Sequence, residues 1–178
     1  MSLRNLFIAT PLILLTGCSH LLPLDYQGYN NADAATIYIQ NDKGNVGTTY
    51  IAKYHYVKAD ACYQMDTRYE LNSNILAADG NIIESKIEPG GFYAVEQSLS
   101  QGPRVAYLSA SFVPEPGKHY FISPGYGSAE IPDNLKITLS MDKDEIFQQY
   151  GKDRVKGWPV RNYCKNFVQK ALSFNQVI

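Results

Sequence analysis

Apolar and polar residues alternate along most of this chain, which is the period of strands with one buried face. Ala35, Ile37 and Ile39 share a face of a strand running from Ala34 to Gln40. After the turn-forming run Asn41 to Asn45, Thr48 to Val57 is rich in Thr, Tyr, Ile and Val and predicts one or two more strands. Tyr69, Leu71, Ser73, Ile75 and Ala77 line up between Arg68 and Ala77, and Asp79 with Gly80 predicts a tight hairpin into a returning strand, Ile82 to Ile87. Turns at Pro89 to Gly91 and Gln101 to Pro103 bound a strand from Phe92 to Leu99. Arg104 to Val113 has the pattern of a central strand, with Ala106, Leu108, Ala110 and Phe112 on one side. Lys118 to Ser123 predicts a further strand, Pro124 to Ser128 a glycine-rich loop, and Leu135 to Met141 a strand with Leu135, Ile137, Leu139 and Met141 inward.

The period then changes. Asp142 and Glu145 have capping-box spacing for a short helix, with Ile146, Phe147 and Tyr150 on its apolar side and Gly151 at its exit. Gly157 to Pro159 reads as loop, and Asn162 to Phe174 predicts a terminal helix through Tyr163, Phe167, Ala171 and Phe174. The fold class is therefore mainly β: an antiparallel β-sandwich of roughly seven to nine strands, with a short helix and a C-terminal helix packed on it.

One stretch does not alternate. Leu6 to Leu15 is an apolar run of about ten residues, short of the ~20 that cross a bilayer and within the length of a signal-peptide core. It follows Arg4, contains Pro11 and ends in Leu15-Thr16-Gly17-Cys18. This arrangement resembles a bacterial lipoprotein signal peptide with its lipobox. The resemblance implies a diacylglycerol thioether on Cys18, cleavage before it and acylation, for instance by palmitate, of the new amino terminus. It divides the chain into a signal peptide (1–17), a lipidated tether (18–33) and a single β-sandwich domain (34–178). Ser19 after the cysteine, in place of the aspartate that retains such proteins at the inner membrane, implies the periplasmic side of the outer membrane. An ordinary secretory signal cleaved near Gly17 is the alternative.

Composition narrows the partners. With 16 Lys+Arg against 17 Asp+Glu the chain is near neutral, without the basic stripe that nucleic acid requires. Beyond Cys18 only Cys62 and Cys164 remain. In an oxidising compartment that pair is a candidate disulfide closing a loop of about a hundred residues, worth ~4 kcal/mol on a chain-entropy argument; two buried free thiols are the alternative.

Catalytic motifs are missing from the sequence. The three histidines, His20, His55 and His119, have no ligand-spaced His or Cys partner, so no metal site is expected, and no nucleophile elbow or phosphate loop occurs. A Cys/His nucleophile built from Cys62 or Cys164 with His55 or His119 conflicts with a disulfide. No catalytic residues and no cofactor are expected. Tyr50, Tyr54 and Tyr56 share a strand face by parity, either as half-buried strand residues or as a binding face for a glycan or an envelope protein. From Glu88 to Ile122 the chain, with PGKHYF at Pro116 to Phe121, resembles PEGA-like β-sandwich domains of bacterial lipoproteins, in which the Pro-Gly corner is structural. The expected function is a lipid-anchored, non-catalytic binding or assembly module of the cell envelope. A component of an envelope-spanning secretion or transport machine, like the transthyretin-like sandwich lipoproteins of that size, and an envelope-acting hydrolase are the alternatives.

Overall fold

A computed structural model describes residues 24–40, 47–73, 82–101, 104–151 and 155–164. Its elements are β1 (Leu24–Asp25), β2 (Ala35–Gln40), β3 (Thr48–Val57), β4 (Cys62–Ser73), β5 (Ile82–Ile87), β6 (Phe92–Gln101), β7 (Arg104–Phe112), β8 (His119–Ser123), β9 (Gly127–Ile131) and α1 (Lys143–Tyr150). They form a β-sandwich of a five-stranded sheet, β1-β4-β3-β6-β7, and a four-stranded sheet, β5-β2-β8-β9. Pairing is antiparallel except between β1 and β4 and between β2 and β8. The core between the sheets takes Ala35, Ile37 and Ile39 from β2, Ile51 from β3, Val95 from β6, Phe112 from β7, and Tyr120 and Ile122 from β8. Each is an alternate residue of its strand, so the period-two pattern identifies the buried face.

Several expectations give way to the topology. The returning strand β5 pairs with β2 in the other sheet and not with β4. The flank of β4 is already occupied, by β1 at Tyr69 and Glu70 and by Tyr163 at Tyr63, while Ile83 and Ile87 complete the inner face of the four-stranded sheet. The turn at residues 79–80 lies outside the described residues, as does the one at 41–45. β7, expected at a sheet centre, is an edge strand: its alternation reports a buried face, and strand order leaves no such mark. Leu135 to Met141 forms no strand. Turn hydrogen bonds at its two ends, Leu135 N–H to Pro132 O and Met141 N–H to Thr138 O (both 3.1 Å), keep it out of the ladder. Leu135, Ile137 and Met141 instead pack with Phe121 and Ile146 on the outer face of the four-stranded sheet, and Leu139 is exposed.

The helix begins as expected: the Asp142 carboxylate accepts from Asp144 N–H at 2.8 Å. Gly151 closes it in right-handed conformation, and the constraint there is space, because a Cβ would meet the Phe147 carbonyl oxygen at 2.5 Å. Residues 162–164, expected to start a terminal helix, run extended beside β4. Tyr63 N–H donates to Asn162 O and Cys164 N–H to Tyr63 O, both at 2.8 Å. The rest of that segment, 165–174, is outside the described residues.

Residues 24–33, assigned from sequence to the tether, lie against the domain as a strap. Tyr26 N–H donates to Glu70 O (3.3 Å) in one sheet and Tyr29 N–H to Lys86 O (3.0 Å) in the other. The Tyr26 hydroxyl also donates to Lys86 O, and its ring meets Tyr69 edge-on at 5.5 Å. The strap thus crosses the mouth of the sandwich and joins both sheets.

Close backbone approach at Gly47 gives a direct test. Thr48 N–H donates to Ser98 Oγ at 2.8 Å, and a Cβ on Gly47 would overlap the Ser98 carbonyl oxygen. Gly47→Ala is expected to cost about 1–3 kcal/mol in urea unfolding. Gly28→Ala, whose Cβ would have no neighbour nearer than 3.9 Å, is expected to change stability far less.

Candidate functional site

The outer face of the five-stranded sheet carries small residues at its centre. Ala52 of β3 pairs with Ala94 of β6, and two adjacent alanines leave a hollow between larger neighbours. Trp158 fills it. Its indole Nε1 donates to Tyr93 O at 2.8 Å, and Ser111 Oγ donates to Trp158 O at 2.7 Å, so the ring's polar atom is satisfied although the residue is only 6% exposed. Tyr54 and Tyr63 pack on the indole with ring centroids 4.8 and 4.7 Å away, and Phe92 meets it edge-on at 6.0 Å. Sequence reasoning placed Trp158 in a loop and missed it. The available signal was a lone tryptophan between Gly157 and Pro159, a large apolar residue where the chain can neither continue a helix nor fill a ladder.

The segment that delivers Trp158 is clamped. The Sγ atoms of Cys62 and Cys164 lie at disulfide distance, with Cα atoms 5.0 Å apart, within the span a disulfide bridges. Between this segment and the sheet runs a groove of about 420 Å³. Tyr54, Glu96 and Ser109 form its floor, Met65 lines it from β4, and Val160, Arg161, Tyr163 and Cys164 line it from the clamped segment. Tyr56, Met65 and Tyr163 are exposed.

The three tyrosines from the strand-parity argument do share this face, in three different environments. Tyr50 lies under the Arg68 guanidinium, 3.6 Å from its ring centroid, and Arg68 Nε pairs with Glu96 Oε2 at 3.0 Å. Tyr54 is 5% exposed beneath Trp158, and Tyr56 leans on Tyr63 with centroids 5.1 Å apart. The register of β3 against β4 shifts at Thr49/Tyr50 and at Lys53/Tyr54, where the extra residues, Leu71 and Asp66, lie on β4, and the stripe of tyrosines meets different neighbours along its length. His55 contacts Asp66, and His119 lies in the other sheet beside Tyr38, so neither histidine is partnered with the two cysteines. Among the described residues no group of three His, Cys, Asp or Glu side chains is placed to hold a metal ion.

No protein-family model, no curated protein and no solved structure matches the chain, and the chemistry of the groove therefore rests on its own residues.

Two measurements probe this face. Trp158→Ala removes the plug over Ala52 and Ala94 and is expected to cost about 3–5 kcal/mol by chemical denaturation. Burial, reinforced by the charge of Glu96, raises the Tyr54 hydroxyl well above its ordinary 10.0, and burial with Glu88 nearby does the same for Tyr93. Both folded-state values exceed the unfolded value, so the stability that these groups contribute is present below pH 10 and is lost as pH rises beyond it. Unfolding free energy is expected to fall on the alkaline side of that pH, with a shallower slope in Tyr54→Phe.

Proposed function

We propose that the protein is a lipid-anchored cell-envelope module without catalysis, held at the periplasmic face of the outer membrane through Cys18, and that it binds a protein partner in the groove beneath Arg161 and Tyr163. The observation that carries the reading is the composition of that groove. Tyrosine, methionine and arginine side chains stand exposed around a well-packed aromatic base, and these residue types are enriched at the centres of protein interfaces. The clamp between Cys62 and Cys164 supports an exported, oxidising compartment. The LTGC sequence ending at Cys18 supports the lipid, and two or three acyl chains are what lasting attachment demands, since one chain holds a protein only marginally.

Two experiments test the halves separately. Cys18→Ala is expected to abolish acyl incorporation and move the protein from the membrane fraction to the soluble one; unchanged processing and partitioning would overturn the anchor. A photo-crosslinker at Met65 in intact cells is expected to give one discrete protein adduct that Arg161→Glu abolishes, while a crosslinker at exposed Leu139 on the far sheet gives none. Equal labelling from both positions would overturn the groove as the partner site.

A further inference from the structure

A second cavity, of about 400 Å³, lies beneath the strap, where residues 26–30 cross from β4 to β5. Its volume falls in the range of small-molecule sites. Four tyrosines line it, Tyr26, Tyr29, Tyr69 and Tyr93, against the inner face of β3 and β4. Tyr26 and Tyr69 stand at 66° to one another, so the cavity offers a ring face and a ring edge together.

Charge selects against several ligand classes. Tyrosine rings with a carboxylate beside them would suit an organic cation, but the position is taken: Lys53 Nζ pairs with Glu88 and stands 6.0 Å from the Tyr93 ring centroid. A charged ligand of either sign would compete with that pair. Burial raises the Tyr26 hydroxyl from its ordinary 10.0 to about 12, still further from the neutral pH at which a phenol is already uncharged. An apolar ligand fares no better, because the lining also includes Gln27, Asn30 and Thr67, whose amide and hydroxyl groups would lose water without replacement. A ligand that satisfies the lining has C–H faces for the rings, hydroxyls for the amides and the ion pair, and no net charge.

We infer that this cavity binds a neutral sugar unit, with an apolar sugar face on the tyrosine rings and its hydroxyls on Thr67, Gln27 and the Lys53–Glu88 pair. The site is separate from the protein groove and does not depend on it. Its roof is the strap, so occupancy fastens the amino-terminal segment to both sheets.

The test is calorimetric titration of the intact chain with two soluble probes, the N-acetylglucosamine trimer and maltotriose, and with phosphatidylcholine vesicles carrying or lacking a galactosyl lipid. Saturable binding of a soluble probe supports the site and assigns it to a free glycan chain. Binding only to the galactosyl vesicles supports it and assigns the sugar to a lipid headgroup. Thr67→Val and Lys53→Met are each expected to weaken the binding about tenfold, while Met65→Ala in the groove leaves it unchanged. Should the inner-face variants fail to fold, Gln27→Ala on the exposed strap serves the same purpose. No saturable binding to any probe, or a dissociation constant unaltered by every cavity variant, overturns the inference.

Discussion

The backbone carbonyl of Tyr93 accepts the indole N–H of Trp158, and much of the molecule depends on that bond. On the outer side it seats the tryptophan over the paired alanines, which fixes the height at which residues 160–164 pass over the sheet and hence the depth of the groove. The Tyr93 side chain points the other way, into the core with Phe112 and into the cavity beneath the strap. One residue therefore carries the seat of Trp158 on one side of the sheet and a wall of the strap cavity on the other. A buried indole whose donor lost this acceptor would be costly, so the two sides are held in fixed relation by the same requirement for polar satisfaction.

Both outer faces of the sandwich are covered. Residues 135–150 pack Leu135, Ile137, Met141, Ile146 and Phe147 over the four-stranded sheet, and residues 155–164 lay Trp158 and Val160 over the five-stranded one. Neither cover is a sheet. Each supplies a few large side chains to a face whose strands present small or aromatic residues, and each is tied at its margin, by the capped helix in one case and the cysteine clamp in the other. The free edge of β7 is closed in the same economical way, with Gly125 N–H on Ser109 O at 3.2 Å and, just past its end, Val113 N–H on Lys156 O at 2.9 Å. Covering an edge by loops blunts its tendency to pair with another chain.

What could be read from the residues follows from the range of the forces involved. Strand faces β2 and β7, the cap at Asp142 and the pairing of Cys62 with Cys164 rest on local periodicity, on one side chain reaching two residues on, or on parity of count. Strand order does not. The departure of β5 to the other sheet depends on which edge of β4 is free, a matter decided by β1 and Tyr163 from the two ends of the chain. β9 was hidden in a glycine-rich run, where Gly125 and Gly127, both at positive φ, stand at the turn, and of its own residues only Ala129 and Ile131 are buried. The alternation from Leu135 to Met141 misled because an extended cover and a strand share a period, and only the ladder separates them. Of the groove, Tyr54 and Cys164 were visible as candidates, whereas Trp158 and Arg161 acquire their place only through long-range closure.

The strap introduces a mechanical term. Residues 24–29 are bonded in succession to β4 and then to β5, so any tension applied from the amino-terminal side is shared between two sheets that are otherwise joined through side-chain packing and loops. The parallel ladder at Tyr69 and Glu70 is the first to bear it, and the Tyr29 bond to Lys86 the next. A pull that peels the first and spares the second would lift one margin of the cavity while leaving the core shut. Force on the amino-terminal segment would thus bear first on the two-residue strand β1, at the margin of the tyrosine-lined space.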